Sequence, residues 1–269
     1  MAYEWLVAAL RDTWGETDRL ISSLSESELL APTPCPGWSV RDVVSHLVGF
    51  ELMLLGEPMP SGPEERPDYV RNDIGALNEA FVHERRSKSR DEVVEEFRRV
   101  TTRALSRLEA LGDDEWSVLG WSPEGEAPYH RFMETRLLDS WIHLQDIRDG
   151  LAMPSDDHGV GEEVVLNRFE AALPYVIGKR AAAPDGSRVR VNISGRLART
   201  TDIVVVDGRA TAASTSGEPT LEISTPAALF WRRAAGRITA RAFLEASATD
   251  VRGDRDLAGR IAEGLAIMI

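Results

Sequence analysis

Hydrophobic positions in the first two-thirds of the chain recur every three or four residues, the period of a helix with one buried face. Over residues 2–24 the stripe is Trp5, Leu6, Ala9, Leu10, Thr13, Leu20 and Leu24. It stops at Ala31-Pro-Thr-Pro-Cys-Pro-Gly37, whose prolines cannot continue a helix. Ser39 then reads as an N-cap with Asp42 three residues on, close to a capping box, and Val43, Val44, Leu47, Val48 and Leu52 predict a helix from Val40 to about Leu55. Beyond a Pro/Gly-rich loop at 56–67, two more helices are expected over about 70–86 and 90–111. The second opens with Asp91, Glu92, Glu95 and Glu96, acids that suit a helix N-terminus. A Gly/Pro loop is expected at about 117–128, a long helix at about 130–151 and another at about 161–177.

Near Pro184 the period changes from helical to two. Val189-Arg-Val-Asn-Ile-Ser and Asp202-Ile-Val-Val-Val-Asp alternate as strands do, and Asp207-Gly208 before Ala210–Ser214 is a hairpin signal. Thr220–Ser224 predicts a further strand, and helices over about 226–235 and 254–267 close the chain. The expected architecture is α then α+β: a helical domain over 1–180 and a small α+β domain over 181–269. No internal repeat or low-complexity segment is present.

Composition narrows the function classes. The chain has 269 residues, 43% hydrophobic and 28% charged, with a net charge of -13, ordinary values for a globular protein except for the acidity. From Asp185 onward there are 12 Arg against 10 acids, so that segment is +2 and the remainder is -15. An acidic helical part is a poor match for phosphate backbones, so nucleic acid is not an expected partner. No apolar run approaches the roughly 18 residues of a membrane span. The N-terminus reads as a first helix rather than a leader peptide, and a cytoplasmic protein, monomer or homodimer, is expected. One cysteine, Cys35, leaves any metal to His, Asp or Glu ligands.

Three such residues fall in a telling pattern. Asp139 and His143 are four apart on one predicted helix and so share a face. His46 lies on another predicted helix among Val43, Val44 and Leu47. Two ligands from one helix and a third from a facing one is how bundles build internal metal sites, and three protein ligands leave a position open for substrate. The same residues have an ordinary reading, since an Asp–His pair at this spacing and a hydrogen-bonded core histidine are both common. Trp38 and Trp141 are core fillers or walls of a pocket. Asp146 is placed to accept a hydrogen bond from a ligand imidazole or to form a solvated ion pair. Arg148 or Arg241 are candidates to clamp a carboxylate. Cys35 is not assigned as a nucleophile, and His83, His130 and His158 read as ordinary helix or loop residues.

Resemblance adds weight to the metal reading. Thr33-Pro-Cys-Pro-Gly-Trp-Ser-Val-Arg-Asp-Val-Val-Ser-His-Leu-Val-Gly-Phe-Glu51 and Arg136-Leu-Leu-Asp-Ser-Trp-Ile-His-Leu-Gln-Asp-Ile-Arg148 resemble the two motifs of the mycothiol-dependent maleylpyruvate isomerase family. Asn78, Val82 and Arg86 sit in a stretch similar to its middle helix. The resemblance implies a DinB-like four-helix bundle in which His46, Asp139 and His143 hold the metal. It also implies a sterol-carrier-like C-terminal domain, on the weaker likeness of the hairpin, Gly236-Arg237, Gly253-Asp254 and the closing helix. The acid is Asp139 here where the characterised isomerase of the family has Glu, one methylene longer, which bears on isomerase activity specifically.

The expected function is therefore a metal-dependent enzyme, a thiol S-transferase or a cis–trans isomerase of maleylpyruvate type. His46, Asp139 and His143 would be its catalytic metal ligands. The expected ion is divalent, zinc first and iron or nickel next. The partners are a low-molecular-weight thiol, mycothiol by the resemblance, and an electrophile. The alternative is a non-catalytic module binding a metal or a small ligand.

Overall fold

The computed structural model describes residues 3–155, 159–213 and 217–268, so His158 and the end of the predicted strand at Ser214 lie outside the described residues. By their contacts the residues divide into two units, Met1–Gly161 and Glu162–Ile269.

The first unit is helical. Its elements are α1 (Glu4–Ser23), α2 (Glu26–Leu29), α3 (Val40–Leu54), α4 (Asp73–Arg85), α5 (Arg90–Glu109), a two-stranded ribbon of β1 (Leu119–Ser122) and β2 (Gly125–Pro128), and α6 (Tyr129–Gly150). The four long helices close into a ring in which α1 packs on α5, α5 on α3, α3 on α6 and α6 on α1, with α4 laid against α3. The stripes read from the sequence meet at its centre, where Leu6, Leu10, Val43, Leu47, Phe97, Val100, Leu137 and Ile142 are buried. Each such side chain contributes about 1.5–3 kcal/mol by leaving water.

Three elements of this unit depart from the sequence expectation. The short α2 is held by a capping box in which Ser25 Oγ accepts from the Glu28 amide and Glu28 reaches back to the Ser25 amide; one turn is too short to show a period. The stretch at 117–128, expected as a loop, contains the β1–β2 ribbon, paired from Leu119↔Pro128 to Ser122↔Gly125. Four-residue strands with both faces largely exposed give no alternation to read. Helix α4 begins at Asp73 rather than Val70 because Asn72 caps it, its Oδ1 taking the Gly75 amide at 2.7 Å.

The second unit is α+β. After α7 (Gly159–Ala171), α8 (Leu173–Tyr175) and a π-helical turn (Val176–Arg180) come β3 (Arg188–Ser194), β4 (Arg199–Val206), β5 (Arg209–Ala212), β6 (Leu221–Pro226), α9 (Ala227–Ala234), α10 (Ala240–Glu245), β7 (Asp250–Gly253) and α11 (Arg255–Gly264). The sheet order is β5-β4-β3-β6-β7, with β3 and β6 parallel and the other pairs antiparallel. Val189, Val191, Ile193, Ile203, Val205, Leu221 and Ile223 form its buried face. Asp207 and Gly208, both at positive φ, make the β4–β5 turn, the conformation of a type I′ hairpin. Pro174 splits the expected 161–177 helix into α7 and α8. Neither α10 nor β7 was legible, being short and charged at an edge.

The division at Gly161/Glu162 lies upstream of the 180/181 boundary expected from the change of period. Helix α8 and the π-helical turn pack on β5, and the turn also on α11, all in the second unit. Glu162 of α7 takes Arg196 at 2.7 Å and Glu170 takes Arg199 at 3.2 Å, tying that helix to the first sheet hairpin.

Candidate metal centre

Helix α3 starts where the sequence places it. Ser39 Oγ accepts from the Asp42 amide at 3.3 Å, and Asp42 Oδ2 accepts from the Ser39 amide at 2.9 Å. Seven residues on from the cap, His46 points into the ring of helices, only 2% exposed. Facing it, α6 carries Arg136, Asp139, His143 and Asp146 at spacings of three, four and three, one inward stripe of a helix.

Asp139 stands between the two imidazoles. Its Oδ2 lies 3.2 Å from His46 Nε2 and its Oδ1 lies 3.4 Å from His143 Nε2. One donor atom from each of the three residues can be chosen so that all lie within 4.8 Å of one another. Ligand atoms about 2.0–2.2 Å from a tetrahedral zinc ion are roughly 3.4 Å apart, so the separation of Asp139 Oδ1 and His143 Nε2 suits two ligands of one small divalent cation, while Oδ2, beside His46 Nε2, is shared with Arg136. Two imidazole nitrogens and one carboxylate oxygen also form a donor set that first-row ions accept. The shorter acid therefore still reaches both rings.

The surroundings prepare these groups for that role. Burial pulls the His46 imidazole down to about 4 against the attraction of Asp139, so at neutral pH it is uncharged with a lone pair to give. Burial alone would raise the Asp139 carboxyl, but His143, His46 and Arg136 together hold it well below the usual carboxylate range. Burial would lower His143; Asp139, with hydrogen bonds from the imidazole to Asp146 and Cys35, instead holds it well above the ordinary histidine value. Asp146, fully buried, accepts from His143 Nδ1 at 2.9 Å, which turns Nε2 toward Asp139. Cys35 Sγ donates to the same Asp146 oxygen at 3.2 Å.

The Pro-rich loop brings Trp38 over the pair of histidines. Its ring centroid is 5.3 Å from that of His46 and 6.2 Å from that of His143. Trp38 Nε1 donates to buried Glu79 at 3.1 Å, Tyr69 donates to the same carboxylate at 3.0 Å, and Arg86 pairs with it at 2.8 Å. Gly37 has φ of 76°, and a Cβ there would stand 2.3 Å from the Tyr69 ring, so only glycine lets Tyr69 sit beneath the loop. Phe50 also meets His46, edge-on at 6.0 Å. Asp139, with 17% of its side chain exposed against 2% for His46 and 6% for His143, is the most open of the three.

The remaining candidates distribute as follows. Trp141 is 3% exposed and packs on Gly161, away from the histidines, as a core residue. Asp146 takes the imidazole-supporting position. Arg148 pairs with Glu16, and Arg241, in the second unit, pairs with Glu245. His83 and His130 lie elsewhere, His130 stacked on Tyr3. Sequence reading missed Arg136, whose Nη1 bonds Asp139 at 2.6 Å, and Glu51, which receives Arg136 from two nitrogens at 3.0 and 2.9 Å. It also left Cys35 aside. The signal for Arg136 was present, since it continues the 139/143/146 stripe one turn earlier.

The family model of the mycothiol maleylpyruvate isomerase N-terminal domain matches residues 10–148, more than half of the chain. The chain belongs to that family. Among solved structures it is similar to a mycothiol-dependent maleylpyruvate isomerase, with a TM-score of 0.60, 16% identity and 93% of each chain covered. It is also similar to a histidine-to-alanine variant described in the same words, with a TM-score of 0.58, 18% identity and coverage of 88% of this chain and 90% of that one. At such identity the likeness establishes the fold, a DinB-like helical bundle followed by an α+β part. No curated protein matches by sequence. Among the described residues no helix is long and apolar enough to cross a membrane.

Proposed function

We propose that this protein is a metal-dependent enzyme that activates a low-molecular-weight thiol, with His46, Asp139 and His143 holding one divalent cation. The observation that carries the reading is the convergence of three donors, one carboxylate and two imidazoles, within 4.8 Å of one another inside the bundle. Membership of the mycothiol maleylpyruvate isomerase N-terminal domain family, and likeness to structures described as a mycothiol-dependent maleylpyruvate isomerase, support mycothiol as the thiol and a maleylpyruvate-type isomerisation as the reaction.

A divalent cation in this place lowers the pKa of a coordinating thiol, making thiolate available at neutral pH. The protein's own groups serve that end. His46 is kept neutral by burial, and Asp139 is kept ionised by its cationic neighbours. His143 is oriented by Asp146. Trp38 and Phe50 cover the His46 ring and keep water from it. A thiolate that adds to a conjugated cis double bond leaves a single bond free to rotate, and its elimination returns the trans isomer and the thiol unchanged. A thiolate that displaces a leaving group is consumed instead. Thiol balance therefore separates isomerase from S-transferase.

The test is incubation of zinc-loaded protein with mycothiol and either maleylpyruvate or a halonitrobenzene. Isomerisation of maleylpyruvate at constant thiol is expected, at a rate lost on chelation and in His46→Ala. Activity that survives both treatments contradicts the metal enzyme, and bound zinc without turnover of either electrophile points to the non-catalytic module.

A further inference from the structure

A buried ion pair, Arg136 with Glu51, adjoins the three donors. Arg136 is 2% exposed and Glu51 4%, and burying two ions costs several kcal/mol each unless geometry and hydrogen bonds compensate. Nε and Nη2 of Arg136 both go to Glu51 Oε1, at 3.0 and 2.9 Å. Glu51 alone therefore engages two of the three guanidinium nitrogens, yet the third, Nη1, reaches Asp139 Oδ2 at 2.6 Å, the shortest contact of the set, on the oxygen that also lies 3.2 Å from His46 Nε2. The guanidinium is fixed from a third direction too, its Cζ lying 4.1 Å over the Phe50 ring. Phe50 in turn meets His46 edge-on. The guanidinium plane, and with it the carboxylate plane of Asp139, is thus set by α3 as much as by α6.

We propose that Arg136, clamped by Glu51 and Phe50, is a positioning residue that reserves Asp139 Oδ2 and leaves Oδ1 alone for a cation. The proposal rests on the metal reading above and deepens it. A free aspartate beside a divalent ion can offer both oxygens and fill a coordination position that a thiol needs. With Oδ2 engaged by a bidentate-capable cation, Asp139 binds through one oxygen, and one position stays open for the thiol. The bound guanidinium also withdraws charge from the carboxylate, so the cation keeps more of its polarising power. Lysine cannot substitute fully, because a point charge lacks the planar fork that spans Glu51 and Asp139 together.

The test uses cobalt as the probe, whose visible absorption is intense when four-coordinate and weak at higher coordination. The variants are Glu51→Met with Arg136→Met, which removes the pair without stranding a buried charge, and Arg136→Lys. Expected for the wild type is an intense spectrum that changes when thiol is added. Expected for the double variant is a spectrum several-fold weaker and a zinc affinity lowered by about 10–100-fold, with far-ultraviolet dichroism unchanged. Arg136→Lys should fall between them, and it carries the test alone if the double variant does not fold. Variants that fold and match the wild type in spectrum and affinity overturn the proposal while leaving the metal reading intact. Wild-type protein that takes up no cobalt overturns both.

Discussion

His143 is engaged through both ring nitrogens, Nδ1 by Asp146 and Nε2 by Asp139, whereas the buried Nδ1 of His46 has no hydrogen-bond partner among the described residues. The two ligands therefore differ in what fixes them, and Asp146 is the support whose loss is felt most. Asp146→Ala should weaken zinc binding by about 10–100-fold, while Asp146→Asn, which keeps an acceptor, should retain most of it; competition with a chromophoric chelator measures both. Proton linkage follows from the same residues. At pH 7 His46, lowered to about 4 by burial, is already neutral, while Asp139 holds His143 well above its ordinary value against the pull of burial. Zinc uptake at pH 7 should release about one proton, and affinity should rise with pH until His143 is neutral. Calorimetry in buffers of different ionisation enthalpy counts that proton, and a count of zero contradicts the assignment. Spacing made 139 and 143 legible and hinted at 146. It could not reveal Cys35, because only the folded Pro-rich loop brings that residue, 111 positions away, against Asp146.

At the scale of elements, helices with caps and long apolar stripes were readable, and one-turn helices and four-residue strands were not. The Ser39–Asp42 box is a case where the local signal also serves the site, since it fixes where α3 begins and hence which way His46 points. Ser39→Ala should cost about 1 kcal/mol of stability, read as a lower denaturant midpoint. A second tie joins α4 to α5, where Glu96 takes Arg85 at 3.1 Å and Lys88 at 2.6 Å. Burial alone would raise the Glu96 carboxyl, but the bonds from Lys88 and Arg85 prevail and hold it below the ordinary glutamate value of 4.5. A folded-state value below the unfolded one means stability that is present above about pH 4.5 and lost as pH falls through the folded value. Glu96→Gln should therefore lower stability at pH 7, by about 1–2 kcal/mol because Arg85 keeps Glu84 and the Phe81 carbonyl as partners, and flatten the decline below pH 4.5. Denaturant midpoints measured between pH 3 and 7 check both effects.

At the scale of the whole molecule, the change from a period of 3.6 to a period of 2 near residue 184 disclosed an α part followed by an α+β part. The division by contacts falls earlier, at Gly161/Glu162, and Glu162 and Glu170 pair with Arg196 and Arg199 of a later hairpin, long-range ion pairs that leave no periodic trace. All three metal donors lie in the first unit, so a cation bound only by the folded chain stabilises that unit. At a free concentration 1,000-fold above Kd the gain is about 4 kcal/mol, which should raise Tm by about 10 °C and vanish on chelation. The most direct measurement is zinc stoichiometry of the chelator-stripped protein by titration calorimetry, with His46→Ala and Asp139→Ala alongside. One zinc per wild-type chain and none in either variant is the result expected. A wild type that binds no zinc, or variants that bind it as the wild type does, would contradict the centre.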